Sequence, residues 1–152
     1  MQNTSQQYDQ AINKCKDIFL KKMKDYGTAW RNLRPTSLTD QIFIKAQRIK
    51  SIEEKGTQKV NDDIKGEYVG IINYCIIGLI QLELKDDIRL DIPYEEVAVL
   101  YEKNASKTKQ LMLDKNHDYG EAWRDMRISS LTDLILMKIF RVKQIEDNKG
   151  ET

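Results

Sequence analysis

Only two of the 152 residues are proline, two are cysteine and one is histidine. With so little proline, long stretches are free of helix breakers. Cys15, in a polar stretch, and Cys75, in an apolar one, make neither a disulfide framework nor a metal knuckle, and they read as reduced, cytosolic residues. His117 stands alone, so neither a Ser/His/Asp nor a Cys/His set repeats along the chain. No charge of one sign dominates. Twenty-five Lys and Arg against 24 Asp and Glu leave a net charge of +1, which provides no global field towards nucleic acid or membrane. The longest apolar run, residues 71–84, is interrupted by Asn73, Gln81 and Glu83 and falls short of the ~20 residues a membrane span needs. The opening MQNTSQQYDQ has neither the basic start nor the apolar stretch of a signal peptide. No glycine loop of the P-loop type occurs, and no useful length alternates with period two, which excludes a sheet. What is present, 40% hydrophobic and 32% charged residues, suits a soluble, cytoplasmic, all-α globule.

The chain repeats itself. DYGTAWRNLRPTSLTD at residues 25–40 recurs as DYGEAWRDMRISSLTD at 118–133, an offset of 93 residues. Extended outward, residues 8–54 align without gaps to 101–147 with 22 identities in 47 pairs. A self-match at fixed offset implies two copies of one supersecondary unit packed side by side. The first copy is followed by the apolar segment 71–84, and the counterpart of that segment would lie beyond Thr152. Lys55-Gly56-Thr57 and Lys149-Gly150-Glu151 look like the same helix exit, so a truncated form of a longer protein is expected, the alternative being a helix 62–85 that serves both copies.

Helix A is predicted over 4–26, with Tyr8, Ile12, Cys15, Phe19, Met23 and Tyr26 forming an amphipathic stripe that Gly27 terminates. Helix B is predicted to open at Ser37-Leu38-Thr39-Asp40, which has the form of a capping box, and Ser130-Leu131-Thr132-Asp133 repeats it. Its seam Leu38, Ile42, Lys45, Ile49, Ile52 is interrupted by a lysine, as is the second seam Leu131, Ile135, Lys138, Val142, Ile145. Helix C is predicted over 62–85, apolar on most faces, with Gly66, Gly70 and Gly78 permitting close helix approach. The expectation is a single helical domain over residues 1–152, ordered A, B, C, A′, B′.

Three groups of side chains are candidates for chemistry. Asp25, Tyr26, Trp30 and Arg34, with Asp118, Tyr119, Trp123 and Arg127, either end a helix and plug a gap or present a flat aromatic surface beside arginines, suited to base stacking and phosphate contact. Lys45 and Lys138 must reach water or find an acid. Equivalent sites are expected for the two lysines, each near an acid such as Asp25 or Asp118. Arg48 and Arg141 lie one turn on, so each helix B offers two cations that can grip a phosphate or pin an internal acid. Glu53, Glu54, Asp63 and Glu67 are candidate Mg²⁺ ligands if helices B and C pack antiparallel, and are otherwise solvated helix ends.

The linked elements DYG-x-A-W-R, R-x-x-SLTD and K-x-x-R, followed by Ile71-Ile72-Asn73-Tyr74, resemble the family called nucleotide modification associated domain 1, formerly a domain of unknown function. The resemblance implies an α-helical domain of bacteria and phages, tied by genomic context to nucleotide or nucleic-acid modification. A looser similarity is to the MazG-like all-α nucleotide pyrophosphohydrolases. Glu53, Glu54 and Glu67 echo their Mg²⁺-binding acids, but Gly70 stands where that pattern calls for an aspartate. The expected function is binding of a nucleotide or nucleotide derivative in a modification pathway. The alternatives are a non-catalytic helical interaction module and a Mg²⁺-dependent pyrophosphohydrolase. A homodimer is expected to cover the second seam, because four large aliphatic side chains are too much to leave in water.

Overall fold

The apolar spacing produces helices where it predicts them. The computed structural model describes residues 3–56 and 64–150, and no strand occurs among them. Helix α1 spans Thr4–Tyr26 and opens in a reciprocal capping box: the Asn3 side chain accepts from the Gln6 amide, and the Gln6 side chain accepts from the Asn3 amide. A 3-10 helix, Ala29–Asn32, leads into α2, Pro35–Lys55. Helix α3 spans Ile64–Glu83 and α4 Tyr94–Tyr119. A second 3-10 helix, Ala122–Asp125, precedes α5, Ile128–Asp147. The order helix, 3-10 turn, helix thus occurs twice. None of these helices is long and apolar enough to cross a membrane.

Helix α2 begins two residues before the predicted capping box. Pro35 sits in its first turn, where the fixed φ is already helical and the missing N–H costs nothing, so Arg34 becomes the capping residue. Ser37 and Asp40 therefore lie inside the helix. Arg127 likewise precedes Ile128 at the start of α5, and Ser130 and Asp133 fall within that helix.

The chain divides into two compact units, and they are not the two repeat copies. One joins residues up to Leu33 with Ile76–Arg124, and the other joins Arg34–Cys75 with residues from Asp125 onward. The division passes through α3. Equivalent helices of the two copies therefore pair with each other, α1 with α4 and α2 with α5.

In the first unit Lys16 pairs with Glu102 at 2.9 Å and Lys109 with Asp9 at 2.8 Å. These pairs are related by the 93-residue offset and run the helices antiparallel. Exposed pairs contribute no more than about 1 kcal/mol each, so they set register more than stability. Packing does the rest: Cys15, Phe19, Met23, Val97, Tyr101 and Ala105 are buried, with the Phe19 and Tyr101 rings 5.0 Å apart. Cys15 occupies the apolar stripe of α1 and is buried, whereas Cys75 is exposed, the reverse of what their sequence neighbours suggest.

In the second unit Ile42, Ala46 and Ile49 of α2, Ile71 of α3, and Leu136 and Ile139 of α5 form one buried cluster. Thr39 donates to Glu146 at 2.9 Å and Thr132 to Glu53 at 3.4 Å, again a pair related by the offset and again antiparallel. The Tyr68 hydroxyl lies 2.8 Å from that of Thr132, and Tyr68 packs against the cluster, so the first half of α3 covers both B-type helices. The second seam is covered from within the chain at Ile135, which packs on the cluster, and is half-buried at Leu131 and Ile145, while Val142 is 41% exposed.

Candidate functional site

The repeated motif of the first unit ends in two different ways. In the first copy the Arg31 guanidinium donates to the carbonyl oxygens of Leu84, Asp87 and Arg89 and to the Gln81 side chain, tying the 3-10 turn to the end of α3. Gln81 in turn donates to the Trp30 carbonyl at 3.0 Å, and the half-buried indole lies 6.4 Å from Phe19. Trp30 is therefore packed structure. Its counterpart Trp123 is 39% exposed, with Arg124 stacked 4.5 Å from the ring centre. Tyr26 and Tyr119, at the ends of α1 and α4, are 75% and 73% exposed. Asp25 is exposed, and Asp118 meets His117 at 3.5 Å.

Glu121 follows Gly120 with a positive φ of 66°, a backbone region that costs a non-glycine residue energy. Its carboxylate is held by Thr4, by Asn116 and by Arg124, and these bonds pull its pKa down to about 2. Hydrogen bonds from Arg89 do the same for Asp87, also to about 2, and lower Glu96. A depressed carboxylate pKa adds stability above the ordinary value, which is lost as pH falls through the folded value. Stability is therefore expected to decline progressively from about pH 4.5 down to about pH 2, as these groups are protonated. Thermal melts across that range check it, and Glu121→Gln should flatten part of the decline.

In the second unit, Lys45 and Arg48 pin an internal acid. Glu67 meets Arg48 and also Lys45, the latter at 3.7 Å, and Lys45 lies 5.8 Å from the Tyr74 ring centre. Gly70 leaves room for the Lys45 stem: a Cβ there would lie 3.0 Å from it. Gly78, by contrast, faces open space, so it supports no close approach. The acid for Lys45 is thus Glu67 rather than Asp25, because α3 lies beside α2. Lys138 does not reproduce the arrangement. It is exposed and makes no ion pair among the described residues.

This ion pairing also bears on the predicted metal set. With Glu67 engaged by two cations and Glu53 accepting from Thr132, no group of three metal-ligating side chains occurs among the described residues. Asp63 lies outside the described residues.

Between α2 and α5 lies an open cleft of about 580 Å³. Helix α2 contributes Gln47 and Lys50, and α5 contributes Asp133, Leu136, Met137, Phe140, Arg141 and Gln144. On α5 these positions recur every three or four residues, so one helical face supplies them all. Phe140 is 50% exposed and Met137 58%, while Leu136 forms the buried floor. Of the predicted site residues the cleft gathers Arg141 alone. Nothing local in the sequence singles out Gln47, Lys50, Phe140 or Gln144, and Asp133 fits the pattern of a cap. One signal was available: lysine occupies both 50 and 143, and aspartate both 40 and 133.

The repeat-related face of the same helix pair provides an internal comparison. There Lys143 pairs with Asp40 at 3.7 Å and sits 4.4 Å from the Phe43 ring centre. On that face the lysine is engaged by the protein's own acid and ring. In the cleft the equivalent positions hold Lys50, Asp133 and Leu136, and neither Lys50 nor Asp133 makes an ion pair among the described residues. Leucine in place of phenylalanine offers no aromatic face to the lysine, which leaves both charges open to a ligand.

A family model described as nucleotide modification associated domain 1 matches residues 22–82 and 115–152. These segments run from the end of α1 through α3 and from the end of α4 through α5. Searches of curated proteins and of solved structures give no match, and none supports the looser likeness to MazG-like enzymes.

Proposed function

This chain belongs to the nucleotide modification associated domain 1 family, and from that premise we propose that it binds a nucleotide or nucleotide derivative in the α2/α5 cleft. One observation carries the reading: an exposed aromatic ring, two cations and two carboxamides converge in a single concavity. Its volume falls within the ~300–1,000 Å³ usual for small-molecule sites. A base stacks on Phe140, whose face is sequence-tolerant as a platform. Lys50 and Arg141 attract the phosphate, the arginine as a two-pronged donor. Gln47 and Gln144 each offer both donor and acceptor to the edge of a base. Arg141 is only weakly engaged by the protein, 3.5 Å from the Gln144 oxygen, so little is lost when it turns to a ligand.

Calorimetry and NMR with a panel of nucleotides test this. Arg141→Ala is expected to weaken binding about tenfold or more, the loss of one charge-assisted contact worth ~1.5–3 kcal/mol. Phe140→Ala should weaken it comparably. Lys138→Ala, on the same helix but outside the cleft, should leave it unchanged. Shift perturbations clustered away from α2 and α5, or equal loss in all three variants, would refute the assignment.

A further inference from the structure

Taking that cleft as the nucleotide site, we infer that its ligand carries a single phosphate, a nucleoside monophosphate, and is held without a divalent metal ion. Charge counting on the walls leads there. Lys50 and Arg141 supply two positive charges and Asp133 one negative charge. A phosphate monoester carries about −1.5 to −2 at neutral pH. The walls' net charge of +1 (2 − 1) offsets about half or more of one such group, and each further phosphate would add negative charge that meets no further cation on these walls.

Asp133 sharpens the choice. A carboxylate accepts hydrogen bonds and does not donate them, so it suits a sugar hydroxyl or an exocyclic amine and repels a second phosphate. On the repeat-related face, Asp40 is occupied by Lys143 and carries no such bias. In the cleft, Asp133 makes no ion pair among the described residues, so its oxygens stay available to a ligand. Polyphosphates are ordinarily held through Mg²⁺ bridging their oxygens to protein carboxylates. Here a Mg²⁺ ion would meet one carboxylate beside two cations, an unfavourable exchange. Chain length is thus discriminated by a repulsive element as well as attractive ones.

Calorimetry on the full chain, with the monophosphates and triphosphates of the four common nucleosides and with inorganic phosphate, each with and without Mg²⁺, decides the matter. The expected result is at least one monophosphate bound tenfold or more tighter than its triphosphate, with no gain from Mg²⁺. Asp133→Asn should narrow that gap by raising triphosphate affinity, a change that mere loss of structure cannot produce. If triphosphates bind tighter and Arg141→Ala abolishes their binding, the cleft stands as a nucleotide site and the single-phosphate inference falls. If inorganic phosphate binds as well as any nucleotide, the site recognises the anion alone and the inference likewise falls. If nothing binds, or if binding ignores Arg141→Ala, the assignment of the cleft fails and takes the inference with it.

Discussion

Replacing Arg31 by alanine is expected to destabilise the protein by about 3 kcal/mol, a large part of the ~5–15 kcal/mol that separates folded from unfolded states in a typical domain. Arg31 anchors the turn after α1 to the Gln81 side chain at the end of α3 and to three carbonyl oxygens of the segment that follows it. Hydrogen bonds from a charged donor contribute about 1.5–3 kcal/mol each and do not add fully, and their loss leaves part-buried carbonyls short of a donor. Lysine should rescue little, because a point charge cannot reproduce a planar donor fork. The informative control is Arg124→Ala. That arginine is identical in the repeat but engages Glu121, Thr4, Gln7 and the Trp123 ring around a more exposed turn. Urea denaturation of both variants should show the larger loss for Arg31, and equal losses would discredit the anchoring role.

Ile49→Ala is the second large effect. Ile49 is 0% exposed within the α2/α3/α5 cluster, and truncating such a residue costs about 2–5 kcal/mol through lost transfer energy and the cavity left behind. Its repeat counterpart Val142 is 41% exposed, so Val142→Ala should cost less than about 1 kcal/mol. Residues at the same place in the repeated pattern thus differ severalfold in energetic weight. Equal destabilisation would mean that α5 is covered by something beyond the helices seen here, such as a second copy of the chain.

Much of the fold was legible in the chain. The stripe from Tyr8 to Tyr26 predicts helix α1 over the same bounds that the structure shows, because an apolar residue every three or four positions has only one way to face a core. Gly27 and Gly120 end their helices with positive φ, as glycine can at little cost. At the start of α2 two local signals compete, and a proline suited to the first helical turn outranks the Ser-x-x-acid pattern. The partner of Lys45 is not legible locally, because Glu67 stands on a different helix, beside the room that Gly70 leaves for the lysine stem. Half of the candidate site was equally hidden. Phe140 aligns with Gln47, so comparing the copies gave no hint that an aromatic ring there matters.

Composition and periodicity alone determined an all-α chain, its helices and its duplication, since these depend on neighbours within a few turns. Which helix meets which was decided by tertiary packing. Apolar stripes on A, B, A′ and B′ are interchangeable to a local reading, and the choice of α1 with α4 and α2 with α5 rests on which surfaces interlock and which polar groups, such as Thr39 with Glu146 and Thr132 with Glu53, then meet. Tertiary structure also made the two copies unequal. With α3 following the first copy, Lys45 and Arg31 are fastened to it, while Lys138 and Trp123 stay exposed. The cleft arises from the same cause: packing α2 against α5 sets Lys143 on Phe43 on one face, and on the other leaves Lys50, Asp133 and Arg141 around a space that a smaller leucine does not fill.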